Sequence, residues 1–361
     1  MIPERTGLAI PCQWDKDSLI EILNYRMSNG IDIKEVYGTL SFDSLPHGRA
    51  FEVTKTISKN DALKIKKIVS EKGISFAYLI NAPIELDSYE FLEKDLDWIV
   101  NVFKADSITI SSLKLMKFVR KKYPDLKINV STIAGVKTVE DMKQYLSVNP
   151  SKFITHHDVN RNYKDLEEII EFLKTNKIDF EVMVNESCLR RCAKRHEHYS
   201  TLGKGCGDNE FHLWCNSLKV SYPYQFLMSN FIRPEDLKIY EEKGIKLFKV
   251  TGRSKPLGWL QEVVKAYLNR EYDGNLIRLL GVDPKLEAER WIYISNKALE
   301  NFLEKFPQNG DITDEIRYCN HVVSELYKKN QLEIKSDFAK PEIKDTQLSF
   351  KIEKDIYSKN Y

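Results

Sequence analysis

Short runs of β-branched and aromatic residues alternate with helix-period segments along this chain, and eight such runs can be counted. They span Gly7–Cys12, Glu35–Leu40, Ser75–Ile80, Ser107–Ser111, Lys127–Ile133, Lys152–His157, Asp179–Asn185 and Lys246–Gly252. Between them lie stretches such as Asp61–Val69, Phe91–Val100 and Leu166–Leu173, whose apolar residues stand three and four apart and so share one helical face. Ser58 and Thr138 read as helix caps, and Gly30, Gly73 and Gly244 stand where helices should stop. A strand–helix unit repeated eight times is the arithmetic of a closed parallel barrel, with a doubly wound open sheet as the competing solution. The expected fold class is α/β, a (β/α)8 TIM-like barrel over residues 1–272 with a cysteine-bearing insertion, residues 186–230, after strand seven. Helices are expected at Leu257–Tyr272 and Ile292–Phe306. Residues 273–328 read as a C-terminal helical extension and 329–361 as a polar tail.

With 42% hydrophobic and 30% charged residues, most of the chain should fold. Lys plus Arg number 55 against 53 Asp plus Glu, so no global basic field drives nonspecific nucleic-acid binding, and any anion site must be local. No basic segment with an apolar core opens the sequence and no apolar run approaches a membrane span, so a cytoplasmic protein without membrane contact is expected. Six cysteines in a chain that can bury a large core favour reduced thiols or metal ligands over disulfides.

Four of the six cluster at Cys188, Cys192, Cys206 and Cys215. Four thiolates complete the ligand set of one iron–sulfur cluster, which does not require the paired C-x-x-C knuckles of most structural zinc sites. Arg190, Arg191, Lys194, Arg195 and Lys204 crowd the same segment, and cationic neighbours lower thiol pKa values and offset the charge of a thiolate-ligated centre. Zinc on some of these thiols with His196, His198 or His212 is the alternative, and unligated buried thiols a further one. The C-x3-C start resembles radical-SAM enzymes, but Arg195 stands where their third cysteine would be. Cys12 and Cys319 read as barrel-end and helix residues, with Cys319 a substitute ligand should Cys215 not serve.

Arg49 after strand two, His157, Asp158 and Arg161 after strand six and Arg253 after strand eight should share the rim at the C-terminal strand ends. Arginine forks recognise carboxylates, so this rim suits a small substrate with one or two of them, while salt bridges to Asp43, Asp158 or Glu235 are the structural alternative. His196-Glu-His198-Tyr199 lacks the second histidine of H-E-x-x-H, and neither a G-x-S-x-G elbow nor a Walker loop occurs. His198 is a candidate proton carrier.

The run Asn185-Glu-Ser-Cys-Leu-Arg-Arg-Cys192, with Phe231-Ile-Arg-Pro-Glu-Asp-Leu237 and Phe248-Lys-Val-Thr-Gly-Arg253, resembles the peptidase U32 family, the collagenase-like proteases. Val36-Tyr-Gly38, Gly48-Arg49, Val130-Ser-Thr-Ile-Ala-Gly-Val136 and His157-Asp-Val-Asn-Arg161 extend the likeness over residues 7 to 306. The resemblance implies a barrel and, in better understood members, a four-cysteine 4Fe-4S cluster in oxygen-independent hydroxylation of RNA or a quinone precursor, with prephenate as oxygen donor. Carried over, it makes the four cysteines the ligands. Arg49, Arg161, Arg233, Lys249 and Arg253 become substrate-binding candidates and Glu235 a catalytic one, beside His198 from the reading of the motifs above. A hydrolase acting on peptides is the rival reading. A noncatalytic partner of a related barrel subunit is another, and RNA binding through the basic insertion with Tyr199, Trp214, Tyr222 and Tyr224 a further possibility.

Overall fold

The computed structural model describes residues 6–25, 30–40, 57–83, 85, 88–204, 209–280, 292–335, 339–344 and 347–352. Within them eight parallel strands close into a barrel: β1 (Thr6–Pro11), β2 (Ile31–Gly38), β3 (Ser75–Ile80), β4 (Ser107–Ile110), β5 (Ile128–Val130), β6 (Lys152–Ile154), β7 (Asp179–Met183) and β8 (Leu247–Lys249). The ladder from β8 back to β1, pairing Gly7 with Leu247 and Ala9 with Lys249, excludes the open sheet. Between the strands run α1 (Lys16–Asn24), α2 (Lys59–Glu71), α3 (Glu93–Asp97), α4 (Leu113–Lys122), α5 (Val139–Lys143) and α6 (Tyr163–Thr175). Ser58 caps α2 by accepting from the Asp61 amide, and Thr138 and Asp141 cap α5 reciprocally.

The two faces of the strands do different work. Ile10, Val36, Phe76, Ile108, Val130, Phe153, Val182 and Phe248 are buried with the helix faces in one continuous apolar core. Ala9, Tyr37, Ala77 and Leu79 form a second small cluster. Beside it run charges. Lys152 of β6 reaches Glu35 on the far side of the barrel at 2.8 Å and also bonds Glu181, while Lys249 lies 3.2 Å from Glu181. Pairing across the axis satisfies charges that would be prohibitive alone.

The stretch between β7 and β8 carries α7 (Arg195–Gly203), α8 (Asn209–Ser221), α9 (Tyr224–Met228) and α10 (Leu237–Glu242). After β8 come α11 (Leu257–Asn269), α12 (Leu276–Leu279), β9 (Ile292–Ile294), α13 (Ile312–Lys328), β10 (Leu332–Ile334), β11 (Ala339–Lys344) and β12 (Gln347–Ile352). Two expectations are corrected here. Ile292–Phe306 does not form one helix. Ile292 and Ile294 are buried with Tyr293 exposed between them, the two-residue alternation of a strand, and they pair antiparallel with Leu332–Ile334. Residues beyond 329, read as a polar tail, supply β10 and the hairpin β11–β12, whose Leu348 and Phe350 are buried.

The C-terminal extension also clamps the insertion. Arg190 forks onto Glu315 of α13, with its NH2 nitrogen 2.7 Å from Oε1, and donates its third bond to Asn230. No helix among the described residues is long and apolar enough to cross a membrane.

Candidate functional site at the barrel mouth

The insertion roofs a cavity of about 170 Å³ at the C-terminal strand ends. Its floor comes from the barrel, with Tyr37, Thr109, Met183 and Lys249, and its wall from the insertion. Cys188, Cys192 and Cys215 all line it. They arrive from different local structures: Cys188 and Cys192 from the loop after β7, Cys215 from α8. The Cys188 amide donates to Glu186 Oε1 at 3.0 Å, and the Cys215 thiol donates to the His212 carbonyl at 3.5 Å. Burial pushes the Cys188 thiol up and Glu186 adds to this, while Arg195 and Lys219 oppose it. Without a cation bound to its sulfur, Cys188 is a neutral thiol. Cys206 and Arg49 lie outside the described residues. Cys319 is fully buried within α13 and is not brought to the cavity.

The charge inventory of the lining is one-sided. Among the described residues of the lining, Lys194, Arg195, Lys219, Lys249 and Arg253 face a single carboxylate, Glu186. Lys194 sits over the Trp214 ring at 4.7 Å and Lys219, 2% exposed, near Phe226 at 5.8 Å. Lys249 is buried at the floor 3.5 Å over the Tyr37 ring, and its Nζ makes no well-directed hydrogen bond despite lying near Glu181. Burial pulls its ammonium below the usual lysine range even with that carboxylate beside it. His198 also lines the cavity, stacked on Phe211 with centroids 4.9 Å apart and edge-on to His212.

Other rim residues go elsewhere. Arg161 is fully buried in a cage of Phe231, Phe302 and Phe306 at 4.6, 5.1 and 4.8 Å, donating to the Leu227 and Phe231 carbonyls. Arg233 forks onto Asp236 with both bonds at 2.7 Å and donates to the Asn296 carbonyl at 2.9 Å. Glu235 accepts from the Tyr272 amide and from Asn296 Nδ2, tying the rim to the C-terminal extension. Asp158 is held by Lys137 at 3.0 Å and by Asn230. Of the substrate-binding candidates, the structure brings Lys249 and Arg253 to the cavity.

Lys219 and His156, to which the sequence reading gave no role, belong to the surroundings of the site, together with Arg195, read there as a cationic neighbour of the cysteines. Arg195 is 8% exposed and donates to the Leu189 carbonyl at 2.6 Å. Its NH1 nitrogen contacts His156 Nε2 at 3.1 Å and His157 Nδ1 at 3.3 Å. Among the described residues no carboxylate lies within ion-pair distance of Arg195 or Lys219.

Fold and site together define a closed (β/α)8 barrel with a thiol-lined, cation-rich cavity under an insertion at its mouth. Residues 20–274 match the model of peptidase family U32, and the chain belongs to that family. It is similar to an uncharacterized protease of Methanocaldococcus jannaschii, 29% identical over 243 residues that cover 64% of this chain and 70% of the relative. A solved U32 peptidase, Mk0906, aligns at 14% identity over 71% of this chain and 96% of its own, with a TM-score of 0.49.

Proposed function

We propose that the chain is an iron–sulfur redox enzyme of the oxygen-independent hydroxylase type, holding a 4Fe-4S cluster on Cys188, Cys192, Cys206 and Cys215 and a small carboxylate donor such as prephenate at Lys249 and Arg253. The observation that carries this reading is the convergence of Cys188, Cys192 and Cys215 on one cavity whose lining has a surplus of cations. A thiolate-ligated cluster is anionic, so the donor set and the surrounding charge both suit it. Buried Arg195 and Lys219, with no carboxylate at ion-pair distance among the described residues, are costly in a cavity that never holds an anion.

When bound, the cluster supplies one-electron chemistry. The protein's own part follows from the lining. Arg253 and Lys249 offer a fork and a point charge to a carboxylate entering from the mouth. His198, fixed by its stack on Phe211, can carry a proton at its ring nitrogen. The helices α7 and α8 form the wall that keeps bulk water from the floor.

The test is anaerobic purification, followed by visible absorption and iron and sulfide analysis of the wild type and the four single Cys→Ser variants. The wild type should be coloured, with iron and sulfide in equal amounts, and each variant should lose iron. Full iron and colour in all four variants would sink the ligand assignment, and zinc in place of iron would replace the redox reading. The protease reading carried by the archaeal relative's name predicts instead peptide hydrolysis by an iron-free chain that survives Cys188→Ser.

A further inference from the structure

We infer that Arg195, gripped by His156 and His157, is the positioning residue that offsets the negative charge of the thiolate-ligated centre on its Cys188 side and thereby sets its reduction potential. This rests on the cluster reading above and deepens it by giving Arg195 a defined role.

The geometry begins with two histidines at the end of β6. Their rings stack with centroids 4.3 Å apart, and both turn a ring nitrogen to the same guanidinium nitrogen of Arg195. A guanidinium has no lone pair to offer, so each of those ring nitrogens must be the acceptor. At His156 the Asp158 backbone N–H also donates to Nδ1 at 3.2 Å, with Asp158 Oδ2 3.4 Å away, so Arg195 does not by itself decide where that ring carries its proton. For His157 the proton sits on Nε2, which is buried and has no hydrogen-bond partner. A buried N–H left unsatisfied is costly, and the pair tolerates it in the orientation that serves Arg195. Burial, and after it the Arg195 charge, holds both rings far below the usual histidine range, so neither adds a second positive charge.

The consequence is a fixed cation with two neutral acceptors and a carbonyl around it. His156, His157 and Asp158 offer ligand atoms within 4.8 Å of one another, the spacing that suits a metal ion, but Arg195 already stands against both rings as the cation. Asp158 pairs with Lys137 at 3.0 Å, and its charge also acts on Arg195 from beyond ion-pair distance. Arg195 also shares the cavity wall with Cys188, and among the described residues no carboxylate lies at ion-pair distance from it. A positive charge held beside a cluster makes an added electron easier to accept, so removing it should lower the potential.

The experiment is a spectroelectrochemical titration of the anaerobically isolated full chain, with iron and sulfide per chain measured on each sample. Wild type is compared with Arg195→Met, Arg195→Lys and His157→Phe. Arg195→Met and His157→Phe are expected to retain the cluster and move its midpoint to lower potential, and Arg195→Lys to recover most of the change. Should Arg195→Met fail to fold, His157→Phe carries the same comparison with the arginine still present. Clusters of unchanged potential in these variants overturn the role of Arg195 and leave the cluster reading standing. A wild-type chain without iron and sulfide overturns both.

Discussion

Gly252 shows how closely single positions constrain the mouth. It stands between the cavity residues Thr251 and Arg253 at a φ of +130°, and a Cβ there would come within 2.3 Å of the Trp259 ring. Gly252→Ala should therefore cost about 1–3 kcal/mol from backbone strain alone, read as a lower urea midpoint. An unchanged midpoint would show that the loop relaxes freely. His156 gives a pH prediction of definite sign. Burial and the Arg195 charge hold it at about 3, against 6.5 for an ordinary histidine. Between those values the unfolded chain binds more protons than the folded one, so stability is full above the higher value and is lost as pH falls. By pH 5 this amounts to about 2 kcal/mol for one such histidine, and urea midpoints should fall between pH 7.5 and pH 5 in wild type and less in His156→Gln. Equal slopes in the two proteins would contradict it. That Cys188, Cys192 and Cys215 share one place was legible because thiols at short spacing announce themselves. Arg161 and Arg233 were not, since position after a strand does not reveal whether a guanidinium turns to the mouth or, as here, into an aromatic cage and onto Asp236.

At the scale of elements, the insertion depends on α13. Arg190, which precedes Cys192 by two residues, is buried on Glu315 of that helix. Removing one partner of a buried pair leaves the other charge unpaired, so Glu315→Ala should cost about 3–5 kcal/mol, whereas the double apolar replacement Arg190→Met with Glu315→Leu should cost much less. Denaturant titrations of the three proteins check this, and equal losses in single and double variants would refute it. The eight barrel strands were readable because each carries a short run rich in β-branched and aromatic residues, bounded by helix signals. The C-terminal extension was not. Its apolar residues Leu299, Phe302, Leu303 and Phe306 are helix-spaced, yet Asn275 captures both the Ile292 carbonyl and the Ile294 amide and fixes that start as strand.

Seen as a whole, the molecule stacks a charged layer, a small apolar layer and a thiol-bearing mouth along one barrel. The charged layer was hidden in the sequence because Glu35, Lys152 and Glu181 stand on three different strands, and only closure brings them face to face. Burial lowers the Lys152 ammonium, but Glu181 and Glu35 together outweigh it and raise it above the usual lysine range. Lys152→Met should consequently destabilise the barrel by about 3–5 kcal/mol by leaving two carboxylates buried together, and thermal melting followed by circular dichroism would reveal it; a melting curve like that of wild type would argue that water already reaches the layer. The thiols at the mouth carry the functional account. Iron-edge X-ray absorption on protein isolated without oxygen examines them directly. A first shell of sulfur with neighbouring iron beyond it is the expected spectrum, and an oxygen–nitrogen shell, or no iron edge at all, would contradict the account.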